Sequence, residues 1–185
     1  MVPLYFPGTM TPWGEQTGDI FSLFETMLSA TGGLSLSQVC VLTNLESSTV
    51  QNWVKRGWVA KPVQKKYHER QLARILLISA LRGGMQIEQI VRLLCYLNGN
   101  VEDSADDIIK ESQLYNYLCM ILQKISEETG FSKESVITAI RSVTAEFSDN
   151  IGYEKLIKAL CIMVYACIAG NVRTQAEWMF RELEI

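Results

Sequence analysis

Residues 35–58, SLSQVCVLTNLESSTVQNWVKRGW, decide the fold that we predict for this chain. They have the layout of two short helices around a tight turn. Ser35 is suited to the N-cap of the first helix, and Ser47 or Ser48 to the N-cap of the second. Residues 43–45 form the turn, with its leucine as an apolar plug between the helices. A glycine after the second helix supplies a left-handed stop. This layout predicts a helix-turn-helix.

The second helix, residues 47–56, is predicted to have two unlike faces. Val50, Trp53 and Val54 share the side that must pack inward. The other side leaves hydroxyl, amide and cationic groups in solvent: Ser48, Thr49, Gln51, Asn52, Lys55 and Arg56. Gln and Asn can pair bidentately with adenine, while Lys and Arg reach guanine or phosphate. We therefore expect a recognition helix for the major groove of DNA, with a merely solvated helix face as the alternative.

The next segment, residues 60–67 (AKPVQKKY), is too polar to be core and too short to be a domain linker. Folded as a wing, it would lay its ammonium groups along the phosphate backbone and fix the register without reading sequence. An arginine just beyond it is expected to hold a phosphate as well. The predicted contacts of this part are Lys61, Lys65, Lys66, Tyr67 and Arg70.

The charge of the chain is unevenly distributed. Nine Lys or Arg residues and two acids lie between residues 51 and 92, whereas residues 1–50 contain four acids and no Lys or Arg. From residue 93 onward, fourteen acidic residues outnumber eight basic ones. The formal net charge of −3 therefore conceals a basic middle third. A basic patch on an otherwise acidic body is typical of a nucleic-acid-binding face.

Composition and length set outer limits. A chain of 185 residues with 48% hydrophobic side chains can bury a core, which excludes general disorder. The five cysteines form no CxxC pair, which indicates buried, reduced thiols. The first twenty residues carry no positive charge, and the longest apolar run, residues 159–169, is shorter than the ~20 residues that cross a bilayer. We therefore expect a cytoplasmic protein without a membrane segment.

Helical periodicity extends through the rest of the chain. Asp19 is expected to cap a helix over residues 20–30 after an irregular arm, and His68 or Glu69 to begin a helix that breaks at Gly83-Gly84 and resumes to Leu97. An acidic break follows at residues 98–107. Beyond it we predict helices over residues 106–129, 133–147, 153–169 and 172–183, with stops at Gly130, Asp149-Asn150 and Gly170-Asn171. The predicted fold class is all-α.

These patterns divide the chain into three predicted parts. Residues 1–33 form an arm and a helix that pack on the rest. Residues 34–97 form the helix-turn-helix DNA-binding domain. Residues 98–185 form an all-helical bundle for dimerisation or effector binding.

The spacing of residues in the basic part resembles the DNA-binding domain of MerR-type bacterial regulators. The resemblance covers about sixty residues and rests on TVQNWVKRGW at 49–58, Pro62, Lys65-x-Tyr67, Leu72-x-Arg74-Ile75 and GMQIEQI at 84–90. It implies a winged helix-turn-helix, a dimer and double-stranded DNA as the partner.

The chain departs from the MerR pattern in four respects. Gln51, Asn52 and Trp53 stand where those regulators usually have an arginine and two tyrosines, and the 60–67 segment lacks their Gly-containing turn. The long dimerising coiled coil is also missing, because residues 98–100 (NGN) stop the helix. The dispersed cysteines do not form the loop of the metal-sensing members.

A second resemblance covers most of the chain. The stretches TVQNWVKRGWV, KKYHERQLARI and LYNYLCMIL are similar to an uncharacterised bacterial family, domain of unknown function 1836. Its members join a helix-turn-helix module to an all-helical part. This resemblance implies a fold and no reaction.

If DNA is read as a palindrome, dimerisation must come from the C-terminal helices. The 153–169 helix is apolar almost all the way round, which a self-complementary two-fold interface would cover. A central helix enclosed within its own monomer is an equal alternative. A small-molecule pocket lined by Tyr115, Tyr117 or Trp178 is conceivable, although aromatic residues at helical spacing more often serve packing.

The leading hypothesis is a sequence-specific transcriptional regulator that binds double-stranded DNA as a homodimer. The alternative is a protein-interaction adaptor that docks a partner through Trp58 and binds no DNA. We do not expect an enzyme, since no nucleophile–base pair or phosphate-binding glycine loop can be assembled. The lone His68 has no second ligand at metal-binding spacing, so we expect neither a metal nor another cofactor.

Overall fold

A computed structural model describes residues 5–12, 18–103, 105, 107–127 and 131–183. Within these ranges the chain forms eight α-helices and one short 3₁₀-helix at Ala145–Phe147: α1 (Phe21–Thr31), α2 (Leu36–Thr43), α3 (Ser47–Lys55), α4 (Glu69–Leu81), α5 (Ile87–Asn98), α6 (Glu111–Glu127), α7 (Lys133–Val143) and α8 (Tyr153–Arg181). Backbone pairing of β type among the described residues is confined to isolated bridges, as between Leu34 and Tyr67. The all-α prediction is confirmed.

The predicted turn between α2 and α3 is present, with one corrected cap. Ser35 is the N-cap of α2: its backbone N–H donates to Gln38 Oε1 at 2.8 Å, and its hydroxyl accepts the Gln38 N–H. Asn44 ends α2 in the left-handed conformation with φ 54°, and Leu45 is buried beside it. The expectation that Ser47 or Ser48 caps α3 is wrong. The N-cap position belongs to Glu46, which makes no side-chain capping bond.

Helix α4 lies at the centre of the protein, because nine of its thirteen residues are buried. One cluster of buried side chains extends from Phe6 in the N-terminal arm, through α4, to Cys167 in α8. The ring of Tyr115 in α6 packs edge-to-face against Phe21 at 6.2 Å, and its hydroxyl donates to the Pro7 carbonyl at 2.7 Å. All three predicted parts of the chain therefore contribute side chains to one core.

A buried ion pair joins α4 to α6. The guanidinium of Arg74 donates through NH1 to Glu111 Oε1 and through Nε to the Trp58 carbonyl at 2.7 Å. Burial raises the pKa of the Glu111 carboxyl, and the neighbouring Arg74 opposes this shift. A cation in α4 thus ties the chain segment after α3 to the C-terminal half of the protein.

Helix α8 corrects the predicted end of the chain. Residues 153–169 and 172–183 were expected to form two helices with a stop at Gly170-Asn171, but α8 is one helix of 29 residues. At Gly170 the backbone of α8 lies close to the backbone of the α4–α5 connection. A Cβ on Gly170 would lie 3.1 Å from the Gly83 backbone, and a Cβ on Gly84 would lie 2.1 Å from the Ala166 carbonyl oxygen. Glycines on both sides let the α4–α5 connection touch α8 backbone to backbone.

The other helix ends differ from prediction by a few residues. Helix α1 is shifted by one residue, and the Asp19 carboxylate accepts the Ser22 N–H at 3.2 Å near its start. Helix α7 ends at Val143 rather than at residue 147, and a 3₁₀ turn follows. Helix α5 ends at Asn98, one residue beyond the predicted end at Leu97. The predicted start of α6 at Asp106 and the predicted stop at Gly130 lie outside the described residues.

The last part of α8 projects from the body of the protein. Nine residues of α8 between 156 and 170 are buried, whereas every described residue from 171 to 183 is exposed. By length and composition α8 could cross a membrane, and this holds for one helix among the described residues. Half of that apolar window is buried inside the protein.

Candidate nucleic-acid interface

Helix α3 has one buried and one exposed face. Val50 and Trp53 are buried in the core. On the opposite side the exposed residues are Ser48, Gln51, Asn52 and Lys55, which follow the i, i+3, i+4, i+7 spacing of one helical face. Thr49 at the edge of this face is half-buried. The arrangement presents a hydroxyl, two carboxamides and an ammonium group together, on a helix anchored from behind.

The end of α3 is fixed by its glycine. Gly57 adopts φ 70°, and the Trp58 N–H donates to the Trp53 carbonyl at 2.9 Å, which turns the chain back toward the body. The guanidinium of Arg56 lies over the Trp58 ring, 4.9 Å from its centroid. Arg56 is exposed in this position, so the ring orients its charge at the C-terminal end of α3.

The 60–67 segment makes a tight hairpin turn without glycine. Val63 and Lys66 exchange backbone hydrogen bonds of 2.9 and 2.8 Å, and the two residues between them, Gln64 and Lys65, have φ of 49° and 64°. Positive φ at both central positions matches the two-residue turn that joins antiparallel strands. Lys65 is thereby held at the exposed tip. The missing glycine noted in the sequence does not prevent the turn.

The base of this hairpin is tied to the segment before α2. Leu34 and Tyr67 exchange backbone hydrogen bonds of 2.9 and 2.7 Å. The Lys66 ammonium donates to the carbonyls of Thr31 and Gly33 at 3.2 and 3.1 Å. These bonds hold the 60–67 segment and the α2–α3 pair as one unit.

A cleft of about 340 Å³ lies between α3 and the 60–67 segment. Gln51 and Val54 of α3 line it together with Pro62 and Lys65 of the 60–67 segment. The exposed carboxamide of α3 and the ammonium at the hairpin tip therefore border the same concave surface.

Three of the residues predicted from the sequence serve the structure instead of the surface. The Lys66 ammonium is bound to carbonyls, as described above. Tyr67 is 3% exposed, and burial raises the pKa of its hydroxyl. Arg70 donates to the Asp103 carbonyl at 2.6 Å and pairs with Asp107 at 3.5 Å. The exposed members of the predicted set are Ser48, Gln51, Asn52, Lys55, Arg56, Lys61 and Lys65.

Sequence reasoning missed the residues that position this surface. Gln71 donates from Nε2 to the Lys61 carbonyl at 3.1 Å, and Arg74 holds the Trp58 carbonyl, so both ends of the stretch between α3 and the hairpin are fastened to α4. Gln71 and Arg74 are both buried. The signal for them was available: two polar residues three apart on the core-facing side of an apolar helix need buried partners.

The single histidine and the five cysteines all lie in the described part of the chain. No three His, Cys, Asp or Glu side chains there come together as metal ligands. His68 is the N-cap of α4 and donates its backbone N–H to Gln71 Oε1 at 3.1 Å. All five cysteines are free thiols, and burial raises the pKa of Cys167 to about 12.

Comparisons with known proteins agree with the similarity seen in the sequence. The family model described as "Domain of unknown function (DUF1836)" matches residues 19–118, from the start of α1 into α6, which includes the whole candidate interface. A curated relative, "Uncharacterized protein YkrK" of Bacillus subtilis (strain 168), is 30% identical over 127 residues, which are 66% of this chain and 54% of that protein. The chain thus spans about half the length of this relative. No solved structure matches this chain. With more than half of its length matched, the chain belongs to the DUF1836 family.

Proposed function

We propose that this protein is a transcriptional regulator that binds double-stranded DNA in a sequence-specific manner, with α3 in the major groove and the 60–67 segment on the phosphates. The exposed face of α3 carries the proposal. It offers Gln51 and Asn52 side by side with Lys55 one turn away, and it is supported from behind by Val50 and Trp53. Carboxamides pair bidentately with adenine and ammonium groups reach guanine or phosphate.

Exposed basic side chains near α3 and the hairpin also support the proposal. The ammonium groups of Lys55, Lys61 and Lys65 are exposed, and no side chain in the described part of the protein pairs with them. Arg56 adds a fourth exposed charge beside α3. These four residues are close in sequence and border α3 or the hairpin, so they would meet the phosphates that flank a groove.

The order of elements supports the proposal as well. Two short helices, a hairpin and two longer helices follow one another, as in the MerR-type DNA-binding domain that the sequence resembles. Such a regulator would act in the cytoplasm of a bacterial cell.

The first test is DNA selection followed by a salt titration. Fragments bound from random duplex DNA would be sequenced, and affinity for the winner measured at several salt concentrations. Lys65→Ala should reduce the slope of log affinity against log salt by ~0.9, because one phosphate contact is lost. Lys133→Ala, an exposed lysine in α7, is the matched control and should leave the slope unchanged. If no duplex binds even at low salt, the proposal is wrong and the adaptor alternative is favoured.

The second test separates base reading from phosphate contact. Gln51→Ala or Asn52→Ala should relax base preference at one position of the selected site, at a cost of ~1–3 kcal/mol for a bidentate pair. Lys65→Ala serves here as the contrast, since it should weaken all sequences about equally. Equal weakening on every sequence by the α3 variants would contradict their role in base recognition.

A further inference from the structure

An exposed apolar stripe runs along α8 on the side away from the core. Its members are Ile162, Tyr165, Ala169, Val172, Ala176 and Met179, and Leu183 continues it just beyond the helix end. All seven are exposed, with Met179 at 63% and Leu183 at 56%. The steps between them alternate strictly between three and four residues. This is the spacing of the a and d positions of a coiled coil, maintained over three heptads.

The stripe is separate from the buried face of the same helix. Leu156, Leu160, Met163 and Cys167 face the core, and the exposed residues lie on the other side. Beyond Gly170 the helix leaves the body altogether, with both faces in solvent. A free helix of this length is marginal in water, and from Val172 onward its apolar side chains have nothing in the described protein to cover them. Closer to the body, the Tyr165 ring packs edge-to-face on Phe131 at 5.3 Å, and Phe131 is itself 50% exposed. The heptad spacing indicates that the missing cover is another helix.

Charge along α8 selects the orientation of that helix. Extending the heptad toward the N-terminus puts Lys158 and Lys155 at the next d and a positions, and the far end carries two acids, Glu177 and Glu182, together with Arg173 and Arg181. In a parallel pair of α8 helices, Lys158 would face Lys158 of the other copy across the seam. In an antiparallel pair, the lysines of the two copies lie at opposite ends of the seam, and Lys158 lies near Glu182 of the other copy. Avoiding the lysine pair therefore favours a second copy in antiparallel orientation.

One antiparallel register covers the whole stripe. With the two-fold axis between Gly170 and Asn171, Tyr165 lies opposite Ala176 of the second copy, and Ile162 lies opposite its Met179. Lys158 then sits beside Leu183 and Glu182 of the second copy. Sliding the helices by one heptad leaves an end of the stripe uncovered. The projecting part of each α8 thus packs on the exposed stripe of the other body.

We propose that the α8 helices of two copies of this chain pack against each other in antiparallel orientation. Ile162, Tyr165, Val172 and Met179 lie at the centre of this interface. The proposal does not depend on DNA binding. It assigns to the projecting helix a partner of defined chemistry: the same stripe, on a second copy.

The mass in solution is the first test, measured by light scattering after gel filtration. The wild-type protein should show twice the protomer mass of 20.9 kDa. Met179→Glu should halve the mass, because it buries a charge in the seam. Trp178→Glu is the matched control: this residue is 59% exposed, one position away and off the stripe, so the mass should stay doubled. Both side chains are exposed, so both variants should still unfold cooperatively, and Met179→Glu should lose only the stability that dimerisation adds.

The orientation is tested with a carbodiimide, which joins an amine and a carboxylate in contact. A mixture of ¹⁴N- and ¹⁵N-labelled protein should give a mixed-isotope peptide linking Lys158 to Glu182. Within one α8 these residues are about 36 Å apart, so the link can only form between copies. A monomeric wild type, or a Met179→Glu variant that stays dimeric, would overturn the proposal. A cross-link between the two Lys158 amines, formed with a bis-succinimidyl ester in a parallel experiment, without the mixed Lys158–Glu182 peptide would overturn the antiparallel orientation. If the wild-type protein floats with phosphatidylglycerol vesicles and the Met179→Glu variant does not, the stripe binds a lipid surface instead of a second copy.

Discussion

At the scale of single residues, the candidate surface depends on polar side chains that never reach it. Arg74 lies in the middle of the core helix, and its guanidinium fastens the Trp58 carbonyl on one side and Glu111 on the other. The second carboxylate oxygen of Glu111 is buried and has no hydrogen-bond partner among the residues that the structure describes. Burial disfavours its charged form, while Arg74 favours it. The pair therefore fixes geometry at a cost in desolvation.

Removing one member of this pair should be worse than removing both. Glu111→Ala leaves the Arg74 guanidinium buried without its counter-charge, and we expect a loss of about 3–5 kcal/mol in the free energy of unfolding. The double variant Arg74→Met, Glu111→Leu should lose less, because no buried charge remains. Urea denaturation of the three proteins measures both values. A double variant that is less stable than Glu111→Ala would show that the bond to Trp58, and not charge pairing, dominates.

At the scale of elements, the helices could be predicted from periodicity, since an apolar residue every three or four positions marks a buried face. Ser35 and Gly57 could be predicted as caps for the same local reason. The cap of α3 could not, because either serine fits the pattern and neither bonds the helix start. The one large error is α8. Gly170-Asn171 looks like a stop, but whether a glycine ends a helix or admits a neighbouring backbone depends on tertiary contact.

That close approach can be tested at Gly84. The residue does not have positive φ, so alanine is allowed by the backbone, but its Cβ would lie 2.1 Å from the Ala166 carbonyl oxygen. We expect Gly84→Ala to lower the free energy of unfolding by ~1–3 kcal/mol, because α8 must shift away from the α4–α5 connection. Arg82→Ala, exposed in the same connection, is the control and should change stability little. Equal stability of the two variants in urea would mean that the contact is not tight.

At the scale of the whole molecule, the distribution of charge along the sequence indicated which region holds the candidate site. It did not indicate which basic residues of that region are exposed. Of the nine basic residues between 51 and 92, Arg74 is buried, while Lys66 and Arg70 are bound to carbonyls. Charge alone does not distinguish a cation that holds the fold from one that faces solvent. The exposed face of α3 was predictable, because it follows from which side of the helix is apolar. The stripe on α8 was only half visible, since the false stop at Gly170 divided its heptads.

The two proposals meet in one measurement on the intact protein. Two copies joined through α8 would present two copies of α3 to one duplex and so neutralise twice as many phosphates as one copy. Because the salt slope is about −0.9 per phosphate, Met179→Glu should halve the slope of log affinity against log salt on the selected DNA. Trp178→Glu should keep the full slope. If Met179→Glu halves the mass but not the slope, each copy binds DNA alone, and the α8 seam serves a purpose other than pairing the DNA-binding surfaces.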